Sequence, residues 1–233
     1  MLNSTTSFRI LNAASNEQPV NILIDNQLFI SNMVFGDVSP IDQIEENFHN
    51  VMITAANGNR DVLFNKNLPF SSDNLLTLVL ISGTNGMDIV EVHSNRCNIM
   101  SNDLGCLRFA NMAHENSSFD VFLSTGDMAF HDVRFKEVTN YKQARTGDYE
   151  FYIAYTFRGS NPNEVPIITA NEFKTFVNVS EPLLSLPMTI VPNTSFTVYI
   201  IGNPWSASSL RAIVLQDYSF PDNTQRQTGS SGN

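Results

Sequence analysis

Val20-Asn21-Ile22-Leu23-Ile24 and Phe119-Asp120-Val121-Phe122-Leu123 are the stretches whose reading decides the fold. In the first, Val20, Ile22 and Ile24 fall on one side of an extended chain, and Asn21 and Asp25 on the other. In the second, Phe119, Val121 and Leu123 alternate against Asp120 in the same way. A period of two puts every second side chain on a core face, so both read as half-buried β-strands. They lie 99 residues apart, and an offset of 99 or 100 recurs on either side. Upstream, Phe8-Arg9-Ile10-Leu11-Asn12-Ala13-Ala14 matches Leu107-Arg108-Phe109-Ala110-Asn111-Met112-Ala113. Downstream, Phe35-Gly36-Asp37-Val38-Ser39 matches Phe135-Lys136-Glu137-Val138-Thr139, and Val51-Met52-Ile53 matches Phe151-Tyr152-Ile153. Val79-Leu80-Ile81-Ser82-Gly83 aligns with Val198-Tyr199-Ile200-Ile201-Gly202 at an offset of 119. Ordered matches with apolar positions in step predict two diverged copies of one domain.

Each copy shows about seven short strands separated by Asn, Gly, Pro and Ser turns, the pattern of two antiparallel sheets packed face to face. The expected fold is therefore all-β, with two tandem antiparallel β-sandwich domains and separate cores. The expected boundaries are residues 1–96 for the first copy, 97–106 for a junction, 107–220 for the second and 221–233 for a polar tail. The larger late offset places an insertion at 158–182, where Gly159, Pro162, Pro166 and Pro182 punctuate the chain. Leu75 to Ile81 and Phe196 to Ile201 are apolar on both faces, or nearly so. They read as strands buried on both sides or packed at an interface. No stretch carries a capped helical stripe; Asp42 to Asn47 would form one helical turn at most.

The 233 residues are 42% hydrophobic and 15% charged, enough apolar material for a packed core. The formal net charge is −10. Residues 1–96 hold 4 Lys+Arg against 10 Asp+Glu, and residues 97–233 hold 9 against 13. With both halves acidic, no basic face is obvious to neutralise phosphates, which argues against nucleic acid and anionic membranes as partners. No run of apolar residues reaches the ~18 of a transmembrane helix, so no membrane insertion is expected. Met1-Leu2-Asn3-Ser4-Thr5-Thr6 shows no basic n-region followed by an apolar stretch, so no export signal is visible and cytoplasmic synthesis is left open.

Cys97 and Cys106 bracket the junction. Three readings stay open: a disulfide pinning the junction, a bond between subunits of an assembly, or two free thiols. The spacing is not that of a zinc site and no His cluster accompanies it, so no metal or other cofactor is expected. His49, His93, His114 and His131 have no metal-ligand spacing and read as solvated or satisfied loop residues. Glu45-Glu46 is the nearest approach to paired carboxylates for acid–base work, and it sits in a polar turn. No serine stands in a nucleophile elbow or an S-x-x-K frame. The catalytic inventory is empty, and the chain reads as a non-enzyme. Arg9 and Arg108, at equivalent places, are candidate ligand contacts, although each is better read as pairing with an acidic residue or backbone carbonyls at a sheet edge. Trp205, after Gly202-Asn203-Pro204, could anchor a carbohydrate or peptide, or cap the end of the sandwich.

The opening of each copy is similar to a bacterial module that begins with Arg, two aliphatics, His or Asn, Ala and a small residue, then a Pro turn and Val-Asp-Val-Tyr. Arg9-Ile10-Leu11-Asn12-Ala13-Ala14 with Pro19-Val20-Asn21-Ile22 fits the first copy, and Arg108-Phe109-Ala110-Asn111-Met112-Ala113 with Phe119-Asp120-Val121-Phe122 the second. Phe35-Gly36, Thr146-Gly147-Asp148-Tyr149 and the closing run from Gly202 through Leu210 to Asp217 match later motifs. Asn21 and Asn26 depart from the usual Asp and Gly. The resemblance, to the domain of unknown function numbered 4397, covers nearly all of residues 7 to 218. It implies an immunoglobulin-like or transthyretin-like sandwich. It also implies a spore-layer or cell-surface setting, by analogy with leaderless members in spore-forming clostridia. Together these expectations describe a non-enzymatic structural or interaction protein whose partners are itself or other surface and spore-layer proteins. The alternative is a carbohydrate- or peptide-binding module built on the loops around Trp205.

Overall fold

A computed structural model describes residues 4–15, 18–57, 61–71, 75–83, 86–95, 97, 101, 103–114, 117–156, 182–203 and 209–219. The first copy contains β1 (Thr5–Asn12), β2 (Val20–Ile24), β3 (Gln27–Met33), β4 (Asp42–Glu45), β5 (Asn47–Ala55), β6 (Val62–Phe70), β7 (Leu75–Gly83) and β8 (Gly86–Ser94). The second contains β9 (Leu104–Met112), β10 (Ser118–Leu123), β11 (Met128–Arg134), β12 (Lys142–Arg145), β13 (Gly147–Tyr155), β14 (Leu184–Ile190), β15 (Thr194–Ile201) and β16 (Arg211–Ser219). Sheets β4-β1-β7-β8 and β3-β2-β5-β6 form the first sandwich, and β12-β9-β15-β16 and β11-β10-β13-β14 repeat that order in the second.

Several expectations need correction. Each copy has eight strands instead of seven. The extra ones, β4 and β12, are four-residue polar edges, too short to show an alternation. The span expected to offer a helical turn is β4 and the start of β5, because Asp42 to Glu45 pair with Phe8 to Thr5 of β1. The sandwiches are not wholly antiparallel either, since β1 runs parallel to β7 and β9 parallel to β15. The junction is also shorter than 97–106, with β9 beginning at Leu104.

Duplication extends to the hydrogen-bond register. Ile22 pairs with Ile53 and Ile30, and Val121 with Ile153 and Phe130, with a bulge at the same place in β2–β3 and β10–β11. At that bulge the partner residue is left-handed, Asn32 at φ +57° and Asp132 at φ +48°. Its N–H donates to Asn21 Oδ1 at 2.9 Å and to Asp120 Oδ1 at 2.8 Å respectively. Asn21 thus supplies the same acceptor as the usual Asp without its charge, which accounts for that departure from the motif.

The late strands shift the sequence alignment by one residue. Phe8 pairs with Leu76 and Leu107 with Phe196, so the true offset is 120 and Val79 corresponds to Tyr199, not Val198. A slip of one residue exchanges the two faces of a strand. Here both faces are buried, so the sequence carries no parity signal to fix it.

The reason both faces are buried is a third core. One cluster, around Phe8, Ile10, Ile22, Ile53 and Leu78, fills the first sandwich. A second, around Phe109, Phe119, Val121, Ile153 and Val198, fills the other. The third joins Leu11, Ala13, Val79 and Ile81 to Ala110, Met112, Tyr199 and Ile201, which are their equivalents in the duplication. Equivalent surfaces meeting each other make a self-complementary, pseudo-two-fold interface within one chain. The described residues therefore stack as four sheets with three separate apolar cores.

Candidate functional site

The most concentrated polar chemistry lies at the margin of this third core. Arg9 follows Phe8 and precedes Ile10, whose side chains enter the first sandwich. Alternation along β1 turns Arg9 outward, toward the other copy. Arg108 does the same between Leu107 and Phe109. Neither is open to a ligand: Arg9 is 4% and Arg108 6% exposed. Each begins with the same bond, Arg9 Nε donating to Thr77 Oγ1 at 3.0 Å and Arg108 Nε to Thr197 Oγ1 at 2.8 Å.

Beyond that bond the two sites diverge. Arg9 Nη2 donates to Asp217 Oδ1 at 2.8 Å, and Nη1 to the Gln216 carbonyl at 2.8 Å. Arg108 Nη2 reaches only Ser94 Oγ, at 3.5 Å, and its guanidinium lies 4.4 Å from the centre of the Tyr141 ring. Ser94 stands two residues after Val92 on β8 as Asp217 stands two after Leu215 on β16, where a bulge sets Asp217 between the paired Gln216 and Tyr218; along the chain they are counterparts, and Ser94 Oγ donates to Asp217 Oδ1 at 3.0 Å. Asp217 also accepts from Tyr141 OH at 2.7 Å and Thr197 Oγ1 at 2.5 Å. One buried carboxylate therefore serves a site holding two guanidinium groups. Burial, reinforced by the Asp217 charge, pushes the Tyr141 and Tyr199 phenols up and keeps both protonated. Among the described residues the buried Tyr199 hydroxyl makes no well-formed hydrogen bond, although Thr77 lies close enough to ease its ionisation.

The outer contacts of the interface show the same divergence. Lys136 Nζ lies 3.1 Å from Asp88 of the first copy. At the related position Arg211, the counterpart of Asp88, sits 5.1 Å from the centre of the Phe35 ring. Gly36 takes φ +90° there, and a Cβ on it would meet Arg211 Nη1 at 3.3 Å; Lys136 takes the same left-handed turn at φ +67°.

At the junction Cys97 and Cys106 are joined in a disulfide with a Cα–Cα distance of 6.3 Å. Two histidines lie within hydrogen-bond distance of carboxylates, and a third, His93, has its Nε2 3.9 Å from Glu91 Oε2. His131 Nδ1 lies 2.8 Å from Asp120 Oδ1, an atom that also accepts from Thr156 Oγ1 at 2.9 Å. His49 Nδ1 lies 2.6 Å from Asp25 Oδ2 and its Nε2 2.8 Å from the Glu45 carbonyl. Burial opposes charging of His49, but the Asp25 hydrogen bond and the Glu45 carbonyl outweigh it and raise its pKa, while the same hydrogen bond holds Asp25 below the usual carboxylate range. Neither imidazole is hydrogen-bonded to a serine hydroxyl or a thiol among the described residues. Glu45 lies in edge strand β4 and Glu46 between β4 and β5, where its N–H donates to the Ser4 carbonyl. Among the described residues no three His, Cys, Asp or Glu side chains are grouped to hold a metal ion.

Beside the His49–Asp25 pair, a cleft of about 330 Å³ opens at the end of the first sandwich. Phe8, Ile24, Leu28, Phe29 and Ile44 form its apolar walls, and Asp25, Asp42 and Glu45 its acidic ones. The second copy differs at the equivalent place. Lys142, the counterpart of Asp42, lies 4.9 Å from the Phe130 ring centre and donates to the Ala129 carbonyl at 2.6 Å. Tyr149 replaces His49, stacks on Phe151, and donates to the Arg145 carbonyl at 2.9 Å.

Trp205, the expected insertion up to residue 181, residue 220 and the expected tail at 221–233 lie outside the described residues. Arg9 and Arg108 come together through the interface, and Trp205 has no described place beside them. Sequence reasoning passed over Ser94, Tyr141 and Asp217 as site residues. The signal was there only for Asp217, as the last residue of the closing motif.

The family described as Domain of unknown function (DUF4397) matches the chain twice, over residues 6–121 and 105–227. The chain belongs to this family. It carries two DUF4397 domains, and the matches agree with the duplicated register. Among solved structures, "The Bacillus anthracis TIE protein" is 14% identical with a TM-score of 0.25; the alignment covers 85% of this chain and 34% of that one. The present chain thus spans about a third of that protein's length. The family CBM26 domain of Eubacterium rectale Amy13K, in complex with maltoheptaose, is 6% identical with a TM-score of 0.25, over 92% of this chain and 98% of that one. No curated protein matches.

Proposed function

We propose that this tandem DUF4397 protein is a non-enzymatic structural or interaction protein, a rigid block that works by contact with other proteins. One observation carries the reading: the arginines that looked like ligand contacts are spent on locking the two copies together. Arg9 and Arg108 are buried with Asp217 beside an apolar interface, so their charge serves the relative placement of the sandwiches. A body fixed in this way suits repeated use in a layer, where each unit must present its surfaces at constant angles. The spore-layer or cell-surface setting comes from the resemblance of the repeated motifs.

Fractionation of the producing cells across the growth cycle, with non-reducing electrophoresis of each fraction, tests the reading. The expected result is recovery in an insoluble surface or spore fraction, with an intramolecular Cys97–Cys106 bond that leaves the monomer band in place. A strictly monomeric protein confined to the vegetative cytoplasm would overturn it.

A further inference from the structure

The duplication gives each sandwich one short exposed edge, and the charge of that edge is inverted between the copies. Strand β4 reads Asp42-Gln43-Ile44-Glu45 and β12 reads Lys142-Gln143-Ala144-Arg145. The two strands have the same burial pattern, three exposed residues and one half-buried apolar residue turned to the core. Each is the outermost strand of its sheet. Charged edges are the usual defence against edge-to-edge association. Here the defence works between like edges only, because an acidic edge and a basic edge attract.

The edges open on opposite flanks. Phe35, on the segment leading into β4, meets Arg211 of β16, and Lys136, on the segment leading into β12, meets Asp88 of β8. β4 therefore lies on the flank of β16 and β12 on the flank of β8, across the pseudo-two-fold axis. A second chain turned over about the line joining the flanks presents its β4 antiparallel to β12 of the first. Antiparallel apposition sets Asp42 toward Arg145 and Glu45 toward Lys142. Apolar surface flanks the acidic edge: Leu28, on the cleft wall, is 61% exposed and Ile41, just before β4, is 55% exposed.

We propose that the acidic β4 edge of one chain docks against the basic β12 edge of a second copy, so that chains associate head to tail. The inference rests on the structural reading above and names the surface that such a protein would use. The contact is made by side chains. An outward carbonyl on each edge is already taken, that of Glu45 by His49 and that of Arg145 by Tyr149, so the sheet is not extended across it. Because the two surfaces differ, the contact is heterologous and leaves a free edge at each end, which permits open-ended growth. Both copies are acidic overall, so attraction is local and short-ranged, and salt of about 0.5 M screens it.

The test uses two charge-reversal variants of the full chain in analytical ultracentrifugation at low and high salt. D42K/E45R has two basic edges, and K142E/R145E has two acidic ones. The parent is expected to self-associate at low salt. Each variant alone is expected to remain monomeric, and an equimolar mixture of the two to associate again, which also shows that both are folded. If the parent associates and the variants associate equally well alone, or if the mixture fails to regain association, this contact is wrong while the structural reading stands. A parent that stays monomeric at millimolar concentration and low salt overturns the contact; whether the broader reading falls with it is decided by the cell fractionation.

Discussion

The two sides of the pseudo-two-fold axis were built on one plan and finished differently. At one, Arg9 has Asp217; at the other, Arg108 has Ser94 and the face of Tyr141. At one outer contact Lys136 faces Asp88; at the other Arg211 lies over Phe35. The apolar pairs between them, Leu11 with Ala110 and Ile81 with Ile201, keep their equivalent places. The difference teaches that apolar surface fixes how the copies meet, while the polar groups need only be satisfied as a set. One carboxylate with four side-chain donors around it can anchor a site that a strict two-fold would furnish with two.

The largest effect should come from removing that carboxylate. Asp217→Asn leaves Arg9 and Arg108 buried without an anion, and a loss of about 3–5 kcal/mol is expected in urea unfolding, since breaking a buried pair from one side strands its partner. Moving the acid sharpens the comparison. S94D/D217S places a carboxylate beside Arg108 instead of Arg9, and more than half of the stability lost in D217S should return. No recovery would mean that the copies are not interchangeable at this point. Next comes the clasp between the copies: Cys97→Ser should cost about 2–3 kcal/mol by freeing the short loop it closes, read as a shift in midpoint against the oxidised parent.

The His49–Asp25 pair offers a smaller effect confined to the first copy. The raised pKa of His49 stabilises the fold below its unfolded value near 6.5 and ceases to do so as pH rises through the folded value. The lowered pKa of Asp25 acts above the unfolded value near 3.8 and is lost as pH falls through the folded one. The pair therefore contributes most between these limits. NMR titration should place His49 above 6.5, and Asp25→Asn should bring it down. An unmoved His49 would break the pairing. The smallest change is expected from Tyr199→Phe, which deletes a buried hydroxyl that makes no well-formed hydrogen bond among the described residues; stability should shift by less than about 1 kcal/mol, or rise.

What the sequence disclosed follows from where polar and apolar residues alternate. Strands β2 and β10 carry an alternation of apolar residues with a half-buried Asn21 or a buried, hydrogen-bonded Asp120, so Val20-Asn21-Ile22 and Phe119-Asp120-Val121 announced both strand and register, and the bonds made by the strands confirm the pairing. Strands β7 and β15 have none, and the alignment there slid by a residue without penalty. Edge strands β4 and β12 owe their form to backbone pairing with β1 and β9, which leaves no mark on a four-residue polar run. The buried network was half visible. Arg9 and Arg108 stood out as a matched pair, but their partner Asp217 lies 208 residues from Arg9 and enters only when the copies fold against each other.

The Arg9–Asp217 contact also decides how the molecule carries tension. Phe8 is in register with Leu76, and Ser94 with Leu75, so β1 begins and β8 ends at one pole of the first sandwich. The second repeats this with Leu107 opposite Phe196 and Ser219 opposite Thr194. Since Arg9 touches Asp217, both poles coincide, and the first and last described strands leave side by side. A pull applied through them acts across the strands at that pole. It peels the ladders open one hydrogen bond after another, from the Thr5–Glu45 and Ser219–Thr194 pairs inward past the Arg9–Asp217 contact, instead of shearing whole strands at once.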